Sequence, residues 1–287
     1  MSMHRAAIAA LLALAVGGCA TGGGAGGSKS AVTQAPVDSA TVAAWRFDDA
    51  AGPHVADAGP LRIDARAGID TRADFGRVRN GRLFTRNIDS FVYAPYRPPL
   101  DPPSGFTVEL WVYPTAWGEY EIAPLIGRWT ERAGEQSWML GLSGLNRGAF
   151  ASVVGPNHLE SMLQRSGPGF VVFAFEPREA GSQRTFASAT GLTLERWTHI
   201  AVSYDGKIVR FYLNGRQDAQ YATSGWIRGS AAPVLMGNYF DWRALSEFGG
   251  DLRVESGDKT PYYAFEGSLD DVRLSNVART DFPHARD

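Results

Sequence analysis

The chain has 287 residues, of which 44% are hydrophobic and 20% are charged, with 33 glycines and 16 prolines. This is the composition of a globular protein with many turns. The 28 basic and 30 acidic side chains give a formal net charge of −2. The charge balance therefore excludes any electrostatic argument for binding to nucleic acid or to an anionic membrane surface.

Residues 1–19 are typical of an export signal. His4 and Arg5 precede an apolar run, Ala6 to Val16, that is too short to span a bilayer core of about 30 Å. The run ends in Val16-Gly17-Gly18-Cys19, which resembles a bacterial lipobox. The resemblance implies that Cys19 is lipidated, whereas the alternative is an ordinary signal with a chance cysteine. Cys19 is the only cysteine of the chain, so no intramolecular disulfide can form.

The expected location is the cell envelope, with membrane contact through the lipid anchor only. Ala20 follows Cys19, and a residue other than Asp there is similar to outer-membrane lipoproteins, so the outer membrane or the periplasmic face is favoured. Residues 20–40 include GGGAGGSKS and are expected to form a flexible tether. Residues 41–287 show no internal linker or repeat and are expected to form one domain.

Within 41–287, alternating apolar residues predict many short strands separated by Gly, Pro and Asx turns. The predicted strands are at 42–47, 90–94, 106–114, 121–128, 137–142, 148–154, 169–175, 232–237 and 267–275. Both faces of 106–113 carry bulky side chains, which indicates a central strand. Helical periodicity is almost absent, so the fold class is all-β, a two-sheet antiparallel sandwich or jelly roll.

Residues 197–215 contain the clearest hairpin of the chain. Asp205-Gly206 and Asn214-Gly215 bracket one strand, and Asx-Gly pairs suit two-residue type I′ turns. With Asp205-Gly206 as a two-residue loop, Val202 is expected to face Val209, and the large apolar side chains share one side of the sheet.

Three segments carry a family resemblance in the expected order: FTVELWVYPT at 106–115, WTHIAVSYDGKIVRFYLNG at 197–215 and FEGSLDDVRLSNVART at 265–280. They resemble the laminin G-like jelly rolls of the concanavalin A-like lectin/glucanase superfamily, and WRFDDAAGPHVADAGP at 45–60 is similar to the opening of such a domain. The resemblance implies two curved antiparallel sheets with adjacent first and last strands. It implies binding more often than catalysis.

The same resemblance implies a structural Ca²⁺ where the first turn, a glycine-bearing loop and the last strand meet. The matching positions are Asp48, Asn80 and Asp270, with Asp49 and Asp271 as less certain partners. Oxygen ligands of this kind suit Ca²⁺. The alternative is that these residues are solvated turn carboxylates.

No catalytic motif is evident. Glycosidases need two flanking carboxylates, and the nearest arrangement is Glu119-Tyr120-Glu121. Its neighbours Trp117-Gly118 and Pro124 favour a loop with a solvated edge over a catalytic pair. The five histidines show neither metal-ligand spacing nor a nucleophile motif, and His199 is expected to serve as a packing or hydrogen-bonding residue of the hairpin sheet.

Aromatic residues near predicted loops are the remaining functional clue. Sugars stack on aromatic faces while polar side chains contact their hydroxyl groups. The candidate ligand-binding residues are Trp117, Tyr120, Tyr239, Trp242 and Arg243. The alternative is that these aromatic rings belong to the core.

The favoured hypothesis is a non-catalytic binding module for a carbohydrate or a surface protein, displayed on the cell envelope. Two alternatives stay open: a divergent glycosidase or polysaccharide lyase on the same fold, and a structural envelope protein without a small ligand. The fold alone does not decide among these hypotheses, because proteins that share a fold carry different functional sites.

Overall fold

The structure is a computed structural model that describes residues 32–49, 52–102, 104–120, 122–130, 132–145, 167–179, 183–255 and 263–286. Within these ranges the strands are β1 (Thr41–Trp45), β2 (His54–Val55), β3 (Ala65–Ala67), β4 (Arg72–Phe75), β5 (Asn80–Phe84), β6 (Val92–Ala94), β7 (Phe106–Pro114), β8 (Ile122–Arg128), β9 (Trp138–Ser143), β10 (Phe170–Phe175), β11 (Arg184–Gly191), β12 (Thr198–Tyr204), β13 (Ile208–Leu213), β14 (Arg216–Ala222), β15 (Val234–Met236), β16 (Leu245–Phe248), β17 (Asp251–Val254) and β18 (Gly267–Ser275). Short 3₁₀ turns lie at Pro98–Leu100, Trp242–Ala244 and Pro283–Ala285. Among the described residues, no helix has the length and apolar character needed to cross a membrane.

The strands form two large antiparallel sheets. The first sheet has the order β14-β13-β12-β7-β18-β5-β4, and β1 also pairs with β18. The second sheet has the order β11-β10-β9-β8-β15-β6-β3-β2, while β16 and β17 form a separate hairpin. The predicted all-β sandwich, with its first and last strands adjacent, is confirmed.

The main core contains side chains from both sheets. One face of β7 contributes Phe106, Val108, Leu110 and Val112 to it, as the alternation predicts. The opposite face of β7 is also buried, since Glu109 and Trp111 are 0% and 1% exposed. The prediction that β7 is a central strand is therefore confirmed, with β12 on one side and β18 on the other.

The hairpin of β12 and β13 differs from the prediction in register. Val202 faces Phe211 rather than Val209, and Tyr204 faces Val209. Four residues, 205–208, therefore lie between the last paired residues instead of two, and the Asp205 side chain accepts hydrogen bonds from the backbone N–H groups of Lys207 and Ile208 in this loop. The shift of two residues leaves every side chain on its predicted side of the sheet.

The second Asx-Gly turn behaves as predicted. Leu213 faces Arg216, and both Asn214 and Gly215 have positive φ, which is the geometry of a two-residue type I′ loop. Asn214 Oδ1 also accepts a hydrogen bond of 3.0 Å from the His199 backbone N–H. This turn is thereby tied to the neighbouring strand.

Other strand predictions are met to within a few residues at their ends, while 148–154 lies outside the described residues. The sequence pattern did not predict β2 to β5, β11, β14 or the hairpin of β16 and β17. β14 is an edge strand with mostly exposed or half-buried polar side chains, so it lacks the apolar alternation on which the prediction depends.

The segment 32–40, which belongs to the predicted tether, packs against the first sheet. Ala35 is 2% exposed, and its backbone N–H donates to Asp271 Oδ2 at 2.5 Å. The Thr33 backbone N–H donates to the His284 carbonyl at 3.4 Å. Residues 20–31 of the tether and the predicted signal with Cys19 lie outside the described residues.

Candidate functional site

Two of the predicted binding residues come together through a third tyrosine. Tyr120 follows β7, Tyr239 follows β15, and Tyr263 precedes β18. The ring centroid of Tyr263 lies 5.7 Å from that of Tyr120 and 5.5 Å from that of Tyr239. All three residues are half-buried, and we refer to them as the tyrosine cluster. Sequence reasoning missed Tyr263, whose neighbours in the cluster are distant along the chain.

The loop that carries Tyr239 is fixed at its start. Gly237 has a φ of +76°, and its backbone N–H donates to the Leu125 carbonyl. The side chain of the next residue, Asn238, donates to the carbonyls of Asn87 and Ile88 at 3.0 and 3.2 Å. These hydrogen bonds hold the backbone from which Tyr239 projects.

Trp242 and Arg243 form a second, charged part of the same loop. Asp241 caps the short 3₁₀ turn by accepting from the Arg243 backbone N–H, and the guanidinium of Arg243 lies 4.5 Å above the Trp242 ring. The guanidinium also pairs with both carboxylate oxygens of Glu135. The hydrogen bond from Arg243 lowers the pKa of Glu135. Arg243 is therefore held over the Trp242 ring while Glu135 binds its guanidinium through both carboxylate oxygens.

Trp117 has a different role in the structure. Its ring packs against the main core and lies so close to Gly169 that a Cβ there would be 2.6 Å from the ring. Among the described residues, no ring contact joins Trp117 to the tyrosine cluster. Trp117 therefore contributes to packing against the main core.

The candidate catalytic pair gains no support. The Glu119 side chain is 67% exposed and forms an ion pair of 3.1 Å with Arg86, which is the solvated edge described as the alternative. Glu121 lies outside the described residues.

The three residues proposed for calcium are neighbours. Asn80 donates through its backbone N–H to Asp48 Oδ1 at 3.4 Å and through its side chain to the Asp48 carbonyl at 3.5 Å. Asp270 is fully buried, and its Oδ2 accepts from the Val78 backbone N–H at 2.8 Å in the same loop. The other carboxylate oxygen of Asp270, Oδ1, is buried without a hydrogen-bond partner.

The carboxylates of Asp48 and Asp271 repel that of Asp270, and a bound cation would reduce this repulsion. Burial, together with the negative charges of Asp271 and Asp48, raises the pKa of Asp270 to about 7. Asp48 is partly compensated already, because Gln34 donates to it at 2.5 Å and Arg79 lies 3.5 Å away. The unpartnered Oδ1 of Asp270 and the oxygens of Asp48 and Asn80 are of the type that Ca²⁺ prefers as ligands.

A buried ionic cluster that the sequence did not reveal lies on the outer face of the first sheet. Glu109 Oε2 lies 3.1 Å from His199 Nε2 and 3.0 Å from His284 Nε2, while Arg273 Nε donates to Glu109 Oε1 at 2.6 Å. These four residues, the Glu109 cluster, are 0–7% exposed. His199 is thus a buried hydrogen-bonding residue of the sheet, as predicted.

The Glu109 cluster contains three possible metal ligands within 4.8 Å of one another, but its hydrogen bonding fits a structural role better. The Arg273 guanidinium already supplies a positive charge to Glu109. Both histidine Nδ1 atoms are buried without a hydrogen-bond partner, whereas a metal-bound histidine normally donates its second N–H group. Burial alone would raise the pKa of Glu109, but the two histidines and Arg273 outweigh it and hold that pKa well below its usual range.

Comparison with known proteins agrees with this architecture. A laminin G family model, described as the Concanavalin A-like lectin/glucanases superfamily, matches residues 86–281. No curated protein matches the chain.

Solved structures share the fold at low sequence identity. Domain 4 of AbnA, an extracellular arabinanase from Geobacillus stearothermophilus in complex with arabinotriose, is 16% identical with a TM-score of 0.52, over 86% of this chain and 98% of that chain. The binding domain of Botulinum neurotoxin DC in complex with SialylT is 9% identical with a TM-score of 0.54, over 84% of this chain and 48% of that chain. The same binding domain in complex with rat synaptotagmin II is 10% identical with a TM-score of 0.52, over 84% of this chain and 49% of that chain. This chain therefore spans about half the length of the neurotoxin chains it resembles.

Proposed function

The chain belongs to the concanavalin A-like lectin/glucanases superfamily, and from this premise we propose that it is a non-catalytic binding module for a glycan, displayed on the cell envelope by a lipid on Cys19. The similar domain of the arabinanase is in complex with a sugar, and that of the neurotoxin is in complex with SialylT or with a protein.

The proposed envelope location is supported by the signal-like residues 1–19. Cell fractionation tests this location, and recovery of the protein in the soluble fraction would contradict it.

The observation that carries the glycan proposal is the tyrosine cluster, with Trp242 and Arg243 in the loop that follows Tyr239. Tyr120, Tyr239 and Tyr263 are half-buried rings on loops, and such rings supply flat apolar area with a polar edge. Arg243, held over Trp242, is a further polar group in the loop that follows Tyr239. Aromatic surface with a few fixed polar groups is the chemistry that recognises a sugar ring.

Replacing Tyr239 by Ala is expected to weaken glycan binding about tenfold, equivalent to about 1.4 kcal/mol, because the stacking ring is lost. A glycan array on the chain without residues 1–19 identifies the ligand, and titration calorimetry measures the change. Tyr239→Phe is the matched control: it keeps the ring, so binding should be retained. Equal binding by Tyr239→Ala contradicts the site, and release of reducing sugar from bound glycans contradicts the non-catalytic proposal.

A calcium ion is proposed to accompany this function. Asp270, Asp48 and Asn80 would hold it, and the ion would neutralise two carboxylates while linking the first turn to the last strand. The support is the buried, unpartnered Oδ1 of Asp270 next to a second carboxylate.

After treatment with EDTA, adding Ca²⁺ is expected to raise the melting temperature by about 5 °C or more, the effect of a ligand near 100 times its Kd on a domain of this size. Asp270→Asn should abolish the Ca²⁺ effect, whereas Asp281→Asn, at an exposed acid, should preserve it. Differential scanning calorimetry and elemental analysis measure these outcomes. An unchanged melting temperature together with no bound metal would remove the proposal.

A further inference from the structure

A cleft of about 500 Å³ at one edge of the sandwich is lined by residues of both large sheets. In the first sheet it touches β4, the edge strand, and β5, while in the second sheet it touches β3. The cleft has the size of a small-molecule site. None of its lining residues belongs to the tyrosine cluster, to the residues proposed for calcium or to the Glu109 cluster.

Strand register places Arg82 on the inner face of the first sheet. Arg82 lies opposite Leu269, a residue of the main core, and opposite Ala73 on its other side. Residues paired across antiparallel strands share a face of the sheet, so the side chains of Arg82 and Ala73 are both on the inner face. Arg72 borders the cleft but lies opposite Leu83, on the outer face. Arg82 is therefore the cation that the cleft can use.

The guanidinium of Arg82 is buried with a donor left over. Arg82 is 4% exposed, and its Nη2 donates to the Gly52 carbonyl at 3.1 Å. Its Nε is buried without a hydrogen-bond partner. Within the described ranges, no carboxylate lies at ion-pair distance from Arg82. Burial lowers the pKa of the guanidinium, and the charge of Asp49 only partly opposes this effect. A buried cation in this state is costly unless an anion pairs with it.

The rest of the lining decides which kind of anion fits. The Thr71 hydroxyl already donates to the Gly68 carbonyl at 3.0 Å. The acidic residue of the lining, Asp251, is exposed and pairs with Arg253 at 3.2 Å. The apolar lining residues are Pro53, Ala67, Ile69 and Ala73. One buried cation beside apolar surface suits a carboxylate with a short hydrocarbon chain better than a phosphate, which needs several hydrogen-bond donors.

We propose that this cleft binds a small aliphatic carboxylate, whose charged group pairs with Arg82 and whose hydrocarbon chain lies against Ile69 and Ala73. A guanidinium group matches a carboxylate in charge and in hydrogen-bond geometry. The unpartnered Nε of Arg82 is a donor available for this contact. The site is separate from the tyrosine cluster and does not depend on the glycan proposed for that cluster.

The first test compares three probes by titration calorimetry of the full chain at low ionic strength. Butyrate carries both charge and a hydrocarbon chain, butyramide is its uncharged counterpart of similar shape, and phosphate has charge without hydrocarbon. Butyrate is expected to bind at least tenfold more tightly than either of the others, because only butyrate satisfies both Arg82 and the apolar lining. Equal affinity for butyrate and butyramide, or for butyrate and phosphate, would overturn the proposal.

Three variants test the residues. Arg82→Met removes the charge and should abolish butyrate binding. Ala73→Leu adds bulk on the inner face, leaves Arg82 in place and should weaken binding about tenfold or more, so it keeps the test valid if Arg82→Met does not fold. Arg72→Gln is the matched control, since it removes a cation of the same strand from the outer face, and it should leave the affinity unchanged. Unchanged affinity in Ala73→Leu, or loss of binding in Arg72→Gln, would contradict the proposed site.

Backbone amide chemical shifts locate the bound butyrate. Changes on butyrate addition should concentrate at Gly68, Thr71 and Ala73 and should persist in Tyr239→Ala. Changes confined to the loop of Tyr239 would overturn the proposal. Because Tyr239→Ala tests the tyrosine cluster and Ala73→Leu tests the cleft, failure of either proposal is distinguishable from failure of the other.

Discussion

Replacing Glu109 by Gln is expected to lower the free energy of unfolding by about 3–5 kcal/mol. Glu109 accepts from His199 and His284 on one oxygen and from Arg273 on the other. A neutral amide would leave the buried guanidinium of Arg273 without a counter-ion, and its NH₂ group would face donors. Urea unfolding followed by tryptophan fluorescence measures the loss.

Glu119→Gln is the matched control for this change. It removes an exposed carboxylate paired with Arg86, and surface pairs contribute about 0–1 kcal/mol. A loss below about 1 kcal/mol in Glu109→Gln would show that the cluster adds little to stability. A double-mutant cycle with Arg273→Met measures how much of the loss belongs to the pair itself.

The difference in free energy of unfolding between wild type and Glu109→Gln depends on pH. Because the folded pKa of Glu109 is held below its usual range, its contribution is complete above its unfolded pKa of about 4.3 and is lost as the pH falls below that value. The raised pKa of Asp270, about 7, acts in the opposite sense above about pH 4 and is shared by both proteins. The raised pKa of Asp271, about 6, is caused first by burial and in part by the charge of Glu109, so the wild type carries more of this penalty at pH 8 than Glu109→Gln does. The difference in free energy of unfolding between wild type and Glu109→Gln should therefore grow slightly from pH 8 to 5 and shrink below about pH 4.

Replacing Gly237 by Ala is expected to cost about 3 kcal/mol or more and to weaken ligand binding at the tyrosine cluster. Gly237 has a φ of +76°, and an added Cβ would lie 2.1 Å from Cδ1 of the buried Phe84 ring. Backbone strain and overpacking therefore add to each other. The displaced backbone leads directly into Asn238 and Tyr239. Thermal unfolding and glycan titration on the same sample measure both effects.

Gly249→Ala separates the two causes. Gly249 has a φ of +62° with no atom within 4 Å of the added Cβ, so this variant reports backbone strain alone, about 1 kcal/mol. Adding Phe84→Leu to Gly237→Ala should recover part of the loss by making room. Equal losses in Gly237→Ala and Gly249→Ala would show that contact with Phe84 is unimportant.

Local patterns were enough to predict much of the scaffold. The alternation in β7 placed Val108 and Leu110 in the core, and Asn214-Gly215 formed its predicted turn. The predicted register of the preceding hairpin was wrong because the Asp205 side chain accepts hydrogen bonds from two backbone N–H groups. Residue type alone does not determine whether an Asp-Gly pair forms this longer loop or a two-residue turn.

Long-range contacts account for what the sequence could not predict at the sites. Glu109 and His284 are 175 positions apart, so no local pattern joins them, and Tyr263 joins Tyr120 to Tyr239 in the same non-local way. Family resemblance, rather than local pattern, indicated that Asp48, Asn80 and Asp270 are neighbours.

The packing of the two end segments on the first sheet has a topological consequence. The Thr33 backbone N–H reaches the His284 carbonyl, and Arg273 holds both the Pro36 carbonyl and Glu109. Residues 33 and 284 are therefore neighbours in space, although they are far apart in the sequence. A short peptide that joins these two segments should permit circular permutation, with new ends cut at an exposed turn such as Gly249-Gly250, and should also let the whole domain be inserted into a loop of another protein.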